Sequence, residues 1–131
     1  MSVEKPQPQP TPLSAAYWEG AARGALVLQA CADCGTVRHY PRLMCPACQS
    51  RAVRHVEASR RGTVHSWTVA HHPFHPAFVD ELPYTLVTID LEEGVRALGR
   101  WRGTATPFIG QLVHGSFVPG GSGQELVFAP A

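Results

Sequence analysis

With 131 residues, 44% of them hydrophobic, the chain has the size and composition of one globular domain. Its formal net charge of +1 and its single lysine, Lys5, exclude a chain-wide basic surface of the kind that tracks nucleic acid. No apolar run approaches the roughly 18 residues needed to cross a bilayer, and Met1-Ser2-Val3-Glu4-Lys5 is no hydrophobic signal region, so cytoplasmic residence is the expectation.

Residues 1–12 are rich in proline and glutamine and have almost nothing to bury, which predicts a disordered tail. Ser14 or Thr11 then caps a predicted short helix, Ala15–Arg23, ended by Gly24. Leu13, Tyr17, Trp18 and Ala21 share one face of it. A helix this short is marginal alone, so residues 13–25 must dock on the rest of the chain or on a partner.

Leu26–Ala30 reads as a strand leading into Cys31-Ala32-Asp33-Cys34, and Val37–Tyr40 as the return strand before Cys45-Pro46-Ala47-Cys48. Two Cys-x-x-Cys knuckles across a short loop suit a tetrahedral ion that takes four sulfurs, Cys31, Cys34, Cys45 and Cys48. Gly35 lets the backbone turn so that amides face the sulfurs, and Pro46 stiffens the second turn. The spacing points to a structural zinc ribbon over residues 26–56. Two disulfides, or a rubredoxin-like iron site for electron transfer, use the same residues. A closed four-sulfur site has no open coordination position, so it folds the chain and does not catalyse.

From residue 57 the pattern is all-β. Gly62–Ala70 alternates apolar and polar residues, and a long loop from His71 to Pro83 follows. Strands are predicted at Tyr84–Leu91, Val95–Trp101 after a Glu92-Glu93-Gly94 hairpin, Gly110–Val118, and Glu125–Pro130 after a Pro119–Gly123 turn. Five short strands, with Gly99 and Gly110 at expected bends, fit a five-stranded OB-fold barrel over 57–131.

The ordered combination of Tyr17-Trp18, Gly24, Leu28-Gln29-x-Cys31-x-x-Cys34-Gly35, Tyr40-Pro41-Arg42-x-x-Cys45-Pro46-x-Cys48, Gly62-Thr63-Val64, Pro83-Tyr84, Asp90–Gly94, Ile109-Gly110-x-x-Val113 and Phe128-x-Pro130 resembles the DUF35 family. One departure is Gln49-Ser50, where the family often has Gly-Ser. The resemblance covers residues 13–130. It implies a rubredoxin-like zinc ribbon joined to an OB-fold, in an accessory subunit of a thiolase-like acyl-CoA enzyme. Partners of that kind include acetyltransferases, acyl transferases and the lipid-transfer-protein-like aldolases of steroid side-chain degradation. Similar domains are fused to hydratase subunits acting on steroid enoyl-CoA. In the family the ribbon and helix bridge to the partner, and the barrel is a candidate for contact with acyl-CoA.

No catalytic residue is expected: there is no Gly-x-Ser-x-Gly, phosphate loop or dinucleotide fingerprint, and the cysteines are committed to metal. Six arginines and one acid lie between Arg38 and Arg61. Arg38, Arg42, Arg60 and Arg61 are candidates for CoA or phosphate contact, against the plainer reading of a solvated face paired with the acidic segment 80–93. Tyr17, Trp18, His71, His72, Phe74 and His75 are the candidate partner interface. The histidines read either as a junction site or as a proline-stiffened exposed loop, and as a second metal site only weakly. Trp67, Trp101, Phe74, Phe78 and Phe108 either stack bases or an adenine ring, or fill the barrel. The competing function is a single-stranded nucleic-acid module. Three arginines against six acids from Gly62 to Ala131 argue against it. The subunit reading therefore expects neither nucleic acid nor membrane as a partner.

Overall fold

The computed structural model describes residues 3–120 and 123–131. The chain is mainly β, with helix α1 (Ala15–Ala22), a three-stranded ribbon sheet of β1 (Val27–Cys31), β2 (Val37–Arg38) and β3 (Val53–Glu57), and a closed barrel. The barrel strands are β4 (Arg61–Ala70), β5 (Tyr84–Leu91), β6 (Arg96–Trp101), β7 (Leu112–Gly120) and β8 (Gly123–Pro130). Their order around the barrel is β4-β5-β6-β8-β7, closed by β4 against β7 and by a short parallel pairing of β6 with β8.

Strand β1 lies at the centre of the ribbon, paired on one side through Gln29↔Arg38 and on the other through Val27↔Glu57 to Cys31↔Val53. It is buried along its whole length. Alternate side chains of a strand face opposite ways, and here both ways are covered. Leu26 and Leu28 join one core with Val64, Val87, Ile89, Leu126 and Phe128 of the barrel. Val27 lies against α1, where a Cβ on Gly20 would come 2.4 Å from Val27 Cγ2. The barrel itself is filled by the Phe128 ring. A Cβ on Gly99 would stand 2.7 Å from that ring and one on Gly115 2.8 Å from it, so both positions must lack a side chain.

Several elements differ from the sequence expectation. The return strand is only Val37–Arg38, because His39 and Tyr40 leave the ladder: Tyr40 Oη instead accepts a bond from Leu98 N of the barrel at 3.2 Å. Strand β3 carries no clean alternation and is mostly exposed, so periodicity did not announce it; its register with β1 makes it a strand. The segment expected as a loop from His71 to Pro83 contains a 3-10 helix, Pro76–Glu81, started by proline and held by His75 Nδ1 accepting from Ala77 N at 3.1 Å. Gly110 is not a strand bend but the left-handed residue of the turn before β7, with φ +87°. Strand β7 runs on to Gly120, opposite Gly123; residues 121 and 122 of the expected Pro119–Gly123 turn lie outside the described residues. Ser14 occupies the N-cap of α1 without a side-chain cap bond; it exchanges hydrogen bonds with Thr11. Among residues 3–12, Lys5 Nζ sits 2.9 Å from a Glu81 carboxylate oxygen.

Helix α1 docks on this chain. Tyr17 packs on the core and stacks on His39 at 5.7 Å, and burial pushes its hydroxyl up to about 12. The same burial pushes the His39 imidazole down to about 4. An unfolded histidine takes up its proton near pH 6.5. The buried neutral His39 therefore costs no stability above about pH 6.5, and it weakens the fold increasingly as the pH drops from there toward about 4. A His39→Leu variant is expected to show a flatter fall across this interval than the wild type, read by urea unfolding at pH 5 and pH 7.5 in zinc-supplemented buffer. Identical pH slopes would contradict it.

Candidate metal centre and interaction surfaces

The four cysteines sit at two matching turns. In the first, Gly35 N donates to Cys31 O at 3.0 Å with Gly35 at φ +80°; in the second, Gln49 N donates to Cys45 O at 2.9 Å with Gln49 at φ 65°. Each knuckle is closed by a further backbone bond, Cys31 N to Thr36 O and Cys45 N to Ser50 O, both 2.9 Å. Ser50 Oγ ties the two turns by donating to the Asp33 carboxylate. All four sulfurs lie within 4.8 Å of one another, and Cys31–Cys48 and Cys34–Cys45 are both 3.6 Å apart. A tetrahedral ion with Zn–S bonds of about 2.3 Å needs sulfurs about 3.8 Å apart, so the array fits zinc. All four cysteines are free of disulfides.

The electrostatics point the same way. The Cys34 backbone N–H donates to Cys31 Sγ at 3.4 Å and is the main reason that this thiol is pulled down to about 6. Cys45 is lowered in the same manner by the Cys48 N–H. At Cys48 the Ser50 amide favours the thiolate, but the neighbouring sulfurs of Cys31 and Cys34 outweigh it and push the thiol up to about 12. Four thiolates this close repel one another until a dication joins them. The residues present therefore hold Zn²⁺ as a closed structural site with no position for a substrate.

The four candidate arginines are not brought to one place. Arg38 is buried, and its Nε donates to Gln29 Oε1 at 2.5 Å. The same oxygen accepts from Arg42 N at 2.7 Å, while the Arg42 side chain is exposed. These two line a groove between ribbon and barrel, together with Arg96, which the sequence reading did not single out. Arg60 instead donates to Gly24 O and fastens the barrel to the end of α1. Arg61 is exposed 3.4 Å from Glu92 and lines a different groove.

Of the candidate interface residues, Tyr17 is turned inward as described. Trp18 is half-buried and lines an apolar groove of about 320 Å³ with Lys5, Pro6, Pro8 and Leu126. His71 and His72 are exposed, His75 is occupied with the 3-10 helix, and Phe74 is 83% exposed. These residues lie at the end of an arm. Strand β4 pairs with β7 only over Arg61–Thr63, so Ser66–Ala70 has Tyr84–Thr88 as its one partner strand and projects from the barrel. Trp67, Val69 and Val79 are exposed on or beside it. Trp101 packs on the core, Phe78 is half-buried under Lys5, and Phe108 is exposed in the loop before β7. The aromatic side chains thus form no continuous stacking track. Among the described residues, the four cysteines are the one group of metal-ligating side chains; the histidines do not assemble. No helix there is long and apolar enough to cross a membrane.

Two family models match consecutive stretches: the rubredoxin-like zinc ribbon domain of ChsH2 over residues 18–54, and the C-terminal OB-fold domain of ChsH2 over 55–118. A probable enoyl-CoA hydratase alpha subunit of Thermomonospora curvata is 43% identical over 101 residues, covering 77% of this chain and 31% of that protein. The 3-oxo-4,17-pregnadiene-20-carboxyl-CoA hydratase alpha subunit of Mycobacterium tuberculosis is 36% identical over 107 residues, covering 80% and 33%. The chain spans about a third of the length of these two curated relatives. A solved structure titled Ltp2-ChsH2(DUF35) aldolase is similar with a TM-score of 0.85 at 38% identity, covering 95% of this chain and 98% of that one.

The metal site generates two expectations. Cys31→Ser should yield aggregated protein with less than one zinc per chain by elemental analysis, since metal affinity is part of the folding free energy; a soluble variant with a normal melt would contradict this. Gln49→Gly should raise stability by about 1 kcal/mol in denaturant unfolding by relieving the left-handed conformation, and a decrease would mean that the Gln49 side chain is needed.

Proposed function

The chain belongs to the DUF35 family of rubredoxin-like zinc ribbons joined to OB-folds, and from that premise we propose that it is a non-catalytic accessory subunit of a cytoplasmic acyl-CoA enzyme of lipid or steroid degradation. The partner is a thiolase-like or lipid-transfer-protein-like enzyme that forms or cleaves a carbon–carbon bond, retro-aldol cleavage included. The observation that carries this reading is the likeness, along nearly all of both chains, to a chain of the Ltp2-ChsH2(DUF35) aldolase. The two hydratase relatives, named for CoA thioesters, support the substrate class.

The geometry is in keeping with a role in docking rather than chemistry. The sulfurs belong to the metal, and the arm ends in exposed Phe74 beside His71 and His72. Apolar side chains left in water on a projecting hairpin are what an interface buries. The nucleic-acid reading lacks its charge. In the barrel, Arg100 is held by Glu81 and Glu125, so Arg96 and Arg102 are too few to form the row of cations that tracks a phosphate backbone.

Co-expression with a thiolase-like or lipid-transfer-protein-like enzyme from the same genome should give a hetero-oligomer, and that enzyme alone should be insoluble or poorly active. Full activity of the enzyme alone would sink the proposal. Phe74→Asp should weaken the complex by about tenfold or more, while zinc content and melting temperature stay at wild-type values because the side chain is exposed. A variant that still assembles with unchanged affinity would move the interface away from the arm.

A further inference from the structure

Where the ribbon meets the barrel, a groove of about 530 Å³ is walled by Arg38, His39 and Arg42 on one side and by Asp90, Gly94 and Arg96 on the other. Arg38 is only 5% exposed, its Nε is held by Gln29, and neither of its Nη atoms has a partner among the described residues. A guanidinium withdrawn from water with no counter-charge is costly, and its field is little screened. Arg42 is exposed, Arg96 is exposed across the groove, and the Gly94 turn leaves open space where a side chain would otherwise stand. The one carboxylate on the wall among the described residues, Asp90, is already shared by Arg96 Nε at 2.9 Å and His65 Nδ1 at 3.3 Å. The groove therefore holds more positive charge than its own acid neutralises.

We propose that this groove is an anion site that takes a phosphate group, contacted by Arg42 and Arg96, with the buried Arg38 charge beneath it. Planar guanidinium forks match phosphate oxygens in pairs. The assignment rests on the acyl-CoA reading above only for the carrier of the phosphate, a CoA thioester reaching the partner enzyme. Free inorganic phosphate offers the same chemistry. The opposing explanation is that the arginines offset the negative charge of the zinc tetrathiolate, since Pro46 of the second knuckle also lines the groove.

The zinc-loaded full chain, without a partner, is titrated at low ionic strength with CoA, adenosine 3′,5′-bisphosphate and inorganic phosphate, and followed by amide NMR shifts. The expected result is a saturable shift at residues 37–42 and 94–96, tighter for CoA and the bisphosphate than for inorganic phosphate. Arg42→Ala and Arg96→Ala should each weaken binding by about tenfold or more, and Arg102→Ala, an exposed arginine outside the groove, should leave it unchanged. Arg42 is exposed, so its replacement does not endanger the fold. Inorganic phosphate binding as tightly as CoA would support the site and assign it to free phosphate. No saturable shift, or a weak response to every phosphate that survives Arg42→Ala, would overturn it. Reduced zinc affinity in the variants without phosphate binding would award the arginines to the metal. Since no enzyme is present, failure here leaves the subunit reading standing, and loss of the complex would leave this site standing.

Discussion

Everything in this molecule is arranged about one strand buried on both faces. β1 ends in Cys31, so it delivers a sulfur to the metal. Leu28 on that strand, and Leu26 just before it, lie in the barrel core, and Val27 meets the helix. Gln29, polar and yet buried, accepts from both Arg38 and the Arg42 amide, which holds the approach to the second knuckle. Successive residues thus bind the strand to four different neighbours. Separating ribbon from barrel would expose the apolar surface of Leu26 and Leu28 at about 25 cal/mol per Å². The ribbon and the barrel, which the sequence divides by motif, share one core.

The same economy shapes the surface. The barrel closes through two short pairings, β4 with β7 over Arg61–Thr63 and β6 with β8 over Arg100–Trp101, and Phe128 fills the interior so fully that Gly99 and Gly115 have no room for a side chain. The far half of β4 runs on beyond its pairing with β7 and leaves a hairpin arm with apolar tips. Unpaired edges and exposed apolar groups are liabilities in a free monomer. They become consistent with one another when a partner covers them. The charged groups divide similarly: Arg96 and Arg100 of the barrel are met by Asp90, Glu81 and Glu125, whereas Arg38 and Arg42 line the groove beside the ribbon without an acidic partner among the described residues.

Several reactive groups in this chain are engaged in structure. Cys31 and Cys45 are tuned toward thiolate by backbone amides, which suits a metal ligand. His39 is held neutral by burial, and His75 caps a 3-10 helix. Zinc provides rigidity that a core of this size does not fully supply.

Much of this was legible in the residues themselves. The two Cys-x-x-Cys pairs specify the metal site because knuckle geometry is local: a turn of a few residues sets each pair of sulfurs. Alternation along Gly62–Ala70 marked that strand, although only Gly62 and Val64 of its residues are buried and the rest runs out into the arm. Where that local cause fails, so did the reading. β3 is a strand only because β1 offers it a ladder, and the 3-10 helix at Pro76–Glu81 hides in a segment with no apolar period. The four arginines were chosen for lying near one another in the chain. Packing then placed Arg38 in the interior, gave Arg60 to the end of the helix, left Arg61 to an acid, and brought in Arg96 from a strand far along the sequence. Sequence determined the zinc ligands, the strand inventory of the barrel and the family, all set by short-range spacing. Tertiary structure alone decided which charges are buried, which face one another across the ribbon–barrel junction and which apolar groups stay in water, because each depends on contacts between segments that the linear order keeps apart.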